Sequence, residues 1–410
     1  MIAVAILGHG VVGSGVAEVL ETNRESISRK AGTDIYVKRI LDVRDFSALP
    51  YAHKFTNDFE SILADPEIKV VVEAMGGLSP AYNFVSGALK AGKSVVTSNK
   101  ELVAAKGAEL LALARKMNIN FLFEASVGGG VPIIRPLHQC LAANEIDEIV
   151  GILNGTTNFI LTKMIREGMS FDQALGIAQE LGYAEKDPTA DVEGHDTCRK
   201  ICILASLVFG EHISPENVPT TGITKITPED VHYGESAGKV IKLLGQTSKV
   251  DGKCMVSVEP AFISRESPLA MVEDVFNGIL VRGNATGDVV FYGKGAGKLP
   301  TASAVVSDII DCVTAGHTIT SLHWSESSGG NVADIKSQPC VRYIRCEAEG
   351  MQPDIACVFG EVTPLHRPGK PANECAFITS ALNGYEMDGK LAKLRANGAK
   401  ILGNIQVWER

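Results

Sequence analysis

The sequence predicts an α/β protein: a doubly wound parallel sheet in the N-terminal part, then an α+β domain and a small C-terminal module of βαββαβ type. Short apolar runs alternate with helical patterns over residues 2–125, which is typical of a parallel sheet with helices on both faces. A glycine-rich turn follows the first apolar run, and a Ser- and Gly-rich stretch at residues 316–339 precedes the last elements. The length of 410 residues fits two or three domains.

The composition is that of an ordinary globular protein and excludes several functional classes. Hydrophobic residues make up 45% and charged residues 21% of the chain, and the formal net charge is -9. A nucleic-acid partner is not expected, because phosphate binding needs clustered Lys and Arg and no such run occurs. A membrane partner is not expected either, because no apolar run reaches the roughly 18 residues of a span.

The cysteine usage and the N-terminus favour a cytoplasmic protein. The nine cysteines, an odd number without a CxxC pair, fit reduced thiols better than a disulfide framework or a zinc site. Cys198 and Cys202 have no third ligand nearby and are interpreted as small core residues. The first residues, MIAVAILGHG, lack the features of a signal or transit peptide.

The first strand and its turn predict a dinucleotide site. Residues 2–7 form a short apolar run, and Gly8, Gly10 and Gly13 follow in a GxGxxG pattern that opens a helical pattern. In such a turn the glycines permit a tight bend, close approach of a pyrophosphate and close packing of helix on strand. The phosphate then lies at the helix N-terminus. A purely structural glycine turn is the alternative.

The end of the second strand leaves the cofactor preference open. Residues 35–41 form this strand, and Asp42 follows it. An acid at this position bonds the ribose 2′-OH and favours NAD. Arg44 and Lys38 lie close enough in sequence to hold a 2′-phosphate instead.

Further strands place two conspicuous turns at the ligand-binding edge of the predicted sheet. Strand patterns at residues 70–77, 94–100 and 119–125 alternate with helical patterns near residues 81–91 and 101–117. Ligands of such sheets bind beyond the carboxyl ends of the strands. Gly76 and Lys100 lie at those ends, which points Lys100 toward the cofactor crevice. A solvent-exposed turn lysine is the alternative.

A glycine-rich loop after the fifth strand can bind a cation. The stretch EASVGGGVPIIRPL, residues 124–137, has three successive glycines. Exposed backbone carbonyls in such a loop suit a hard monovalent cation, which prefers oxygen ligands. The alternative is that the loop simply reverses the chain.

The middle of the chain combines helices and strands. A strand near residues 146–153 leads into five polar or glycine residues, 154–158, which are more than one N-cap requires. Helices are predicted at residues 170–181 and roughly 235–244, and strands at residues 254–263, 278–284 and 288–292. A glycine-rich turn within residues 291–310 opens another helix, whose N-terminus can meet the same cofactor.

An acidic stretch before an apolar run contains the candidate proton-transfer group. Residues 181–200 carry five acids, and residues 201–209 carry no charge, so Lys200 lies near the mouth of a buried helix. Asp196 and Lys200 share one helix face, whereas His195 lies about 100° round the helix from Asp196 and is treated as a bystander. Burial and a nearby carboxylate both shift a lysine pKa. A helix start with a surface ion pair is the alternative.

Six motifs, taken in order, resemble homoserine dehydrogenase: GHGVVG, TSNKELVA, EASVGGGVPII, GILNGTTNFIL, GYAEKDPTADVEGHDTCRK and YGKGAG. The resemblance covers roughly residues 1–320, and the fourth and fifth motifs are far more specific than a glycine fingerprint. It implies reversible NAD(P)-dependent reduction of L-aspartate 4-semialdehyde to L-homoserine, a step of threonine and methionine biosynthesis. Two alternatives remain open: another lysine-dependent NAD(P) oxidoreductase that acts on a related hydroxy-amino acid, and a silent nucleotide-binding sensor.

The resemblance also implies roles for individual residues. Lys200 is expected to donate the proton to the carbonyl oxygen. The hydride is expected to pass directly from the nicotinamide without a covalent intermediate, and Lys100 is expected to be the second catalytic lysine. The expected substrate-binding residues are Glu185, for the ammonium group, Asp196, for the hydroxyl end or for Lys200 itself, and Asp191. The expected cofactor contacts are Gly8, Gly10, Val11, Val12, Gly13, Arg44, Gly76, Lys100 and Gly297. The expected ligands of a sodium-type cation are the backbone carbonyls of Glu124, Val127, Gly129 and Val131.

The implied domains are a Rossmann-type nucleotide-binding domain, a substrate-binding and dimerisation domain, a linker, and a small module that resembles ACT regulatory modules. Their expected bounds are residues 1–140 (completed by about 295–320), 141–294, 321–339 and 340–410. The first turn of the module reads GMQPDI, without the glycine that usually follows the proline, which favours oligomerisation or packing over amino-acid sensing. A homodimer or homotetramer is expected.

Overall fold

The computed structural model describes residues 1–316, 318, 322–348 and 355–409. The chain forms two compact units. Unit 1 comprises Met1–Ile146, Arg199–Asn217 and Arg282–Asn331. Unit 2 comprises Asp147–Cys198, Val218–Val281 and Val332–Arg410.

The described residues form helices and strands in an alternating order. The helices are α1 (Val11–Thr22), α2 (Arg24–Ala31), α3 (Phe59–Ala64), α4 (Ala81–Lys90), α5 (Lys100–Lys116), α6 (Gly155–Glu167), α7 (Phe171–Glu180), α8 (Thr189–Val192), α9 (His195–Phe209), α10 (Pro228–Ser236), α11 (Lys298–Thr314), α12 (Ile355–Phe359) and α13 (Gly384–Ala396). The strands are β1 (Ile2–Leu7), β2 (Ile35–Leu41), β3 (Phe55–Thr56), β4 (Ile68–Glu73), β5 (Ser94–Thr97), β6 (Phe121–Leu122), β7 (Ile146–Ile152), β8 (Lys239–Val250), β9 (Lys253–Ser264), β10 (Phe276–Gly283), β11 (Gly287–Lys294), β12 (Pro339–Ala348), β13 (Val362–Leu365), β14 (Glu374–Thr379), β15 (Leu382–Asn383) and β16 (Ala399–Trp408).

The sheet of unit 1 is parallel, as the sequence predicts. Its strand order is β3-β2-β1-β4-β5-β6, and each neighbouring pair runs parallel. The order reverses between β1 and β4, and ligands bind at such a reversal in open α/β sheets. The turns after β1, β4 and β5 therefore meet at one edge of the sheet.

Helix α11 returns from late in the chain to the core of this sheet. It packs against α1 and α2, and its apolar face completes a cluster in which every side chain is almost fully buried. Full burial of each such aliphatic side chain contributes roughly 1.5–3 kcal/mol. The main members of the cluster are Val4, Ile6, Val16, Leu20, Val72, Ala302, Val305 and Ile309.

The second sheet is mixed. Its strand order is β11-β10-β7-β8-β9-β16-β12-β14-β13, with β15 paired to β12. The pairs of β8 with β7 and β9, and of β12 with β14 and β16, are antiparallel, whereas β16 joins β9 in parallel. The last strand of the chain therefore connects the C-terminal strands to the central part of unit 2.

The helix predicted at residues 235–244 is wrong in its position. Helix α10 starts earlier, because Pro228 occupies its first turn and Thr227 and Asp230 form a capping box. It ends before Gly238, which has a φ of +66°. The residues that follow belong to β8, which pairs with β9 along its whole length, so strand pairing overrides the local helical pattern.

Apart from the two-residue strand β15, the described C-terminal elements have the order β, α, β, β, α, β. Strand β12, helix α12, strands β13, β14 and β15, helix α13 and strand β16 succeed one another, and a separate apolar cluster includes Ile344, Phe377 and Leu394. Within the GMQPDI turn, residues 350–354 lie outside the described residues. In the segment interpreted as a linker, Trp324 is buried against Phe123.

A buried ionic network holds the C-terminal strands to α10. Arg345 donates to Asp230, Thr227 and Glu374 at 2.9, 2.9 and 3.3 Å, and Tyr233 donates to Glu374 at 2.8 Å. Arg345, Asp230 and Glu374 are each at most 5% exposed. Burial raises the pKa of Asp230, and the positive charge of Arg345 opposes that rise. Separately, none of the helices in the described part of the chain has the length and apolarity to cross a bilayer.

Candidate active site

The turn after β1 has the geometry of a phosphate-binding loop. Gly8 has a φ of +92°, and a Cβ on Gly13 would lie 1.9 Å from the carbonyl oxygen of Gly8. Gly10 is the N-cap of α1 without a side-chain cap, and a Cβ there would meet no atom within 4 Å. The first N–H groups of α1 are therefore left for an anion, because helix termini lack internal partners for them.

A second helix N-terminus lies beside the first. Gly297 is the N-cap of α11, also without a side-chain cap, and has a φ of +123°. A Cβ on Gly15 would lie 2.8 Å from the carbonyl oxygen of Lys298, so the N-terminal part of α1 is in close contact with the start of α11. Val11 and Val12 form the first turn of α1. Two helix dipoles thus favour negative charge at one place, which fits a cofactor pyrophosphate.

The carboxylate after β2 is already paired. Asp42 accepts from the backbone N–H of His9 at 2.7 Å, and the Nε and Nη2 of Arg44 donate to its two oxygens at 3.0 and 2.8 Å. Hydrogen bonds from Arg44, and then from the His9 backbone, hold the pKa of the Asp42 carboxyl well below its usual range. The Arg44 side chain is 58% exposed and lies over the ring of Phe46. The guanidinium is therefore open to solvent on one side while it is bound to Asp42.

Lys38, the second cation that the sequence suggested for a 2′-phosphate, is paired with two acids. Lys38 Nζ lies 2.7 Å from Asp65 and 2.6 Å from Glu67, and the hydrogen bonds that Lys38 donates to these acids raise its pKa. Of the two alternatives in the sequence, Arg44 is therefore the side chain at the end of β2 that fits a 2′-phosphate.

A buried glutamate that the sequence reasoning missed organises the turn after β4. Glu73 is fully buried. Its Oε1 accepts from the backbone N–H groups of Met75 and Gly76 at 2.8 and 3.2 Å, and its Oε2 accepts from Thr97 Oγ1 at 2.5 Å. The only signal in the sequence is an acid at the end of an apolar strand. Glu73 therefore shapes the turn that contains Gly76 and links it to the end of β5.

Asn99 holds Lys100 at the start of α5. Its Oδ1 accepts from the N–H of Leu102 at 3.0 Å as the N-cap, and its Nδ2 donates to the carbonyl of Gly77 at 2.6 Å. Lys100 is the first residue of α5 and is half-buried. The same amide therefore fixes the turn after β4 against the helix that carries Lys100, which argues against a freely exposed turn lysine.

The triple-glycine loop is tightly packed in unit 1. A Cβ on Gly129 would lie 2.1 Å from the carbonyl oxygen of Gly295, and Gly130 donates to the carbonyl of Lys294 at 3.1 Å. Val127 and Val131 are buried. The loop therefore lies against the turn that precedes α11. Among the described residues, no group of three or more His, Cys, Asp or Glu side chains is arranged to hold a metal, a finding that does not concern backbone carbonyls.

The carboxylate of Glu124 orders the chain after this loop. It accepts from the N–H groups of Ile133, Ile134 and Arg135 at 2.6, 2.9 and 2.7 Å, and the Glu124 N–H donates to Asp308 at 2.8 Å. Burial, and then the charge of Glu124, raise the pKa of Asp308 well above its usual value. Both ends of the predicted cation loop are therefore rigid.

Lys200 is buried, which excludes the surface ion pair as its explanation. Lys200 is 7% exposed and Asp196 is 2% exposed, and both lie on α9, four residues apart, so they share one face. Arg199, next to Lys200, lies 4.0 Å from Glu101, next to Lys100. The helical turns that carry the two candidate lysines of unit 1 are therefore neighbours.

Two of the predicted substrate-binding acids of unit 2 meet at one side chain. Asn154 Nδ2 donates to Asp191 Oδ1 at 2.7 Å and to Asp196 Oδ2 at 2.9 Å. Glu185 is exposed, and Gln179 donates to its backbone carbonyl at 3.1 Å. The role of Asn154 as a bridge was missed from the sequence, although the run of polar residues at 154–158 marked the place.

Comparison with known proteins agrees with this arrangement. The model of the homoserine dehydrogenase NAD-binding domain matches residues 8–124, and the homoserine dehydrogenase model matches residues 132–310. The homoserine dehydrogenase of Lactococcus lactis is 42% identical over 316 residues, which are 76% of this chain and 74% of that protein. The chain belongs to the homoserine dehydrogenase family. The homoserine dehydrogenase of Bacillus subtilis is 38% identical over 371 residues, 88% of this chain and 85% of that protein.

Solved homoserine dehydrogenases share the fold. The crystal structure from Thiobacillus denitrificans has a TM-score of 0.92 and 35% identity and covers 100% of this chain and 98% of its own. A hyperthermophilic archaeal homoserine dehydrogenase in complex with NADPH has a TM-score of 0.65 and 32% identity, and covers 76% of this chain and 97% of its own. The chain is therefore an NAD(P)-dependent oxidoreductase of this family, with a Rossmann-like parallel sheet.

Proposed function

We propose that the chain interconverts L-homoserine and L-aspartate 4-semialdehyde, with Lys200 as the proton donor and NADP or NAD as the hydride carrier. The observation that carries the assignment is a buried lysine one helical turn from a buried aspartate on α9, in a chain whose relatives are named homoserine dehydrogenase. The proposed parts are a nucleotide-binding domain, residues 1–140 with 295–320, and a substrate-binding and dimerisation domain, residues 141–294.

Reduction of the aldehyde requires a positively charged proton donor at the carbonyl oxygen. Reduction of an aldehyde leaves negative charge on the former carbonyl oxygen, and a preorganised cation stabilises that charge in the transition state. A buried ammonium group both stabilises the charge and supplies the proton. The bound cofactor supplies the hydride. In the reverse direction Lys200 accepts the hydroxyl proton, and Lys100, half-buried at the start of α5, assists at the same centre.

The acids of unit 2 are proposed to bind the cationic part of the substrate. Glu185, Asp191 and Asp196 supply carboxylates for the substrate ammonium group and for the hydroxyl end, and carboxylates form strong charge-assisted hydrogen bonds with ammonium groups. The bridge through Asn154 supports this role, because it gives Asp191 and Asp196 a defined relative position.

The cofactor preference is proposed to favour NADP through Arg44. The exposed guanidinium beside Asp42 provides charge for a 2′-phosphate, and the related archaeal enzyme was solved with NADPH. Gly8, Gly10, Val11, Val12, Gly13 and Gly297 are proposed to hold the pyrophosphate through the N-termini of α1 and α11, and Gly76 with Lys100 to border the nicotinamide.

A sodium-type cation is proposed at the backbone carbonyls of Glu124, Val127, Gly129 and Val131. The buried, glycine-rich loop against residues 294–297 supports the proposal, since rigid carbonyl oxygens suit a hard cation. Comparing thermal unfolding in sodium chloride and in choline chloride tests it. A midpoint that does not differ between the two salts would contradict a sodium site.

The C-terminal module is proposed to be ACT-like, with an oligomerisation or packing role. Its βαββαβ order and its strand order β16-β12-β14-β13 support the likeness. Both family models end by residue 310, which supports a role outside the catalytic part. A homodimer or homotetramer is proposed on family resemblance, and light scattering that finds a monomer would contradict it.

Substitution of Lys200 tests the proposed function. Lys200→Met is expected to lower kcat for homoserine oxidation at least about 100-fold, the contribution of general acid–base catalysis, with little change in the KM of the cofactor. His195→Ala is the matched control, since His195 is exposed on the same helix and is expected to keep near-normal kcat. A Lys200→Met enzyme that retains more than about a tenth of the kcat would overturn the assignment.

A further inference from the structure

The side chain of Asn154 is saturated by groups from three parts of unit 2. It is 5% exposed. Its Oδ1 accepts from the N–H of Thr157 at 2.8 Å and from the hydroxyl of Thr157 at 3.0 Å. Its Nδ2 donates to Asp191 and Asp196 at 2.7 and 2.9 Å. The two contacts from Thr157 orient the amide, so the NH2 group faces the two acids and not the reverse.

The two aspartates would repel one another without this donor. Both acceptor oxygens bond to one nitrogen, so they lie within about 6 Å of each other, close enough for two carboxylates to disfavour joint ionisation. Each N–H of the amide bonds one carboxylate, and a hydrogen bond to the charged form favours that form. Asn154 therefore compensates part of the repulsion between Asp191 and Asp196.

The start of α6 is held firmly enough to position these acids. A Cβ on Gly155 would lie 2.7 Å from the carbonyl oxygen of Val275, so backbone packs on backbone there. Thr156 donates to the carbonyl of Tyr183 at 2.7 Å. Asn158 donates to the carbonyls of Val272, Asp274 and Phe276 at 3.1, 3.0 and 3.2 Å. Gly155, Thr156 and Asn158 are thus fixed to two other segments, at Tyr183 and at residues 272–276, which explains the polar run at 154–158.

We infer that Asn154 is a positioning residue that sets the distance between Asp191 and Asp196 and keeps both acids charged and in position to bind the substrate. This inference rests on the proposed role of the two acids. Asn154 acts through them and is not itself assigned a contact with substrate. The other titratable side chains on the elements that meet here are Glu193, His195, Arg199 and Lys200 near the start of α9, and Lys163, Arg166 and Glu167 toward the end of α6.

Asn154→Ser separates the two tasks of this residue. Serine caps a helix about as well as asparagine but has no amide group to donate to two carboxylates. The variant is expected to fold with a lowered melting temperature, because Asp191 and Asp196 each lose a hydrogen bond, and to lose about 10- to 100-fold in kcat/KM for homoserine, the cost of misplacing first contacts with substrate. The acidic limb of the kcat/KM profile is expected to move to higher pH, because an acid pair without its shared donor binds a proton more readily.

Two further variants make the test decisive. Asn154→Asp also caps the helix but adds a third carboxylate, so a larger loss is expected, and this variant replaces Asn154→Ser if the latter fails to fold. Asn383→Ser is the matched control, because Asn383 caps α13 through the N–H of Glu386 and lies in the C-terminal module. It is expected to leave kcat/KM and the pH profile unchanged.

The outcomes separate this inference from the proposed function. Asp191→Asn and Asp196→Asn are measured alongside. If both keep wild-type kcat/KM, the proposed role of the acids fails and the inference falls with it. If they lose activity while Asn154→Ser keeps both wild-type kcat/KM and the wild-type pH profile, only the inference is overturned. Loss of activity in all three, with the shifted acidic limb in Asn154→Ser, supports both.

Discussion

Arg44→Ala is expected to change the choice between NADP and NAD. In the native chain the guanidinium forms a two-point ion pair with Asp42 and stays 58% exposed. Arg44 is exposed but the Asp42 side chain is only 6% exposed, so the loss of the pair should cost on the order of 1 kcal/mol of stability. A charge-assisted contact with a 2′-phosphate is worth about a 10- to 100-fold change in affinity. The KM for NADP is expected to rise by that factor.

The charge of Asp42 adds to this effect. The guanidinium of Arg44 is the main reason that the pKa of Asp42 is low, so the variant loses much of that depression. A carboxyl with an ordinary pKa is nevertheless ionised at the pH of a dehydrogenase assay. A bare carboxylate then repels a 2′-phosphate but still accepts from a ribose 2′-OH. The KM for NAD is therefore expected to stay within about threefold of the wild type, since no contact of the 2′-OH is removed.

Steady-state oxidation of homoserine with each cofactor measures the ratio of kcat/KM for NADP to that for NAD. Lys38→Ala is the matched control, because Lys38 is a cation on β2, the strand that precedes Arg44, and is held by Asp65 and Glu67. It is expected to leave the ratio unchanged. Equal losses with both cofactors in Arg44→Ala, or a changed ratio in Lys38→Ala, would refute the assignment of the 2′-phosphate contact to Arg44.

Two further substitutions test the ionic network and the glycine turn. Arg345→Met is expected to cost about 3–5 kcal/mol of stability at pH 8, because it leaves Asp230 buried without its cation, while Glu374 keeps its ion pair with Arg367. Since burial already raises the pKa of Asp230, the folded variant takes up a proton as pH falls. The loss of unfolding free energy, measured by urea unfolding, should therefore shrink toward pH 5. A loss that does not vary with pH would contradict this. Gly13→Ala is expected to lower both the melting temperature and the cofactor affinity, because its Cβ would overlap the carbonyl oxygen of Gly8. Gly10→Ala has open space around its Cβ and should weaken cofactor binding alone. If calorimetry and cofactor titration show the same pattern for both variants, the proposed phosphate-binding turn is contradicted.

Local sequence patterns predicted several elements in both units. The first two strands were predicted at residues 2–7 and 35–41 and are observed at Ile2–Leu7 and Ile35–Leu41. The predicted helix at residues 170–181 is observed at Phe171–Glu180, with Ser170 in a capping box. These elements follow from apolar periodicity and capping residues, which act between close neighbours in the chain.

The misplaced helix near residue 240 shows that local sequence patterns do not decide every element. Residues 239–250 have an apolar pattern that local rules did not separate from a helix, and their state follows from pairing with β9 and β7. Glu73 illustrates the same limit for the candidate site. Its partners include Thr97, which lies on another strand, so no spacing rule predicts the contact.

The residue types and their order were sufficient to indicate the class of protein: a glycine turn after an apolar strand, a lysine before an apolar helix, and motifs specific to homoserine dehydrogenase. The contacts with distant partners depended on folding. Lys38 is held by acids 27 and 29 positions further along, so Arg44 is the side chain proposed for a 2′-phosphate, and Asn154 joins acids 37 and 42 positions away. The local sequence sets the structural preferences that act between near neighbours in the chain. Contacts across such separations exist only after strands and helices have packed.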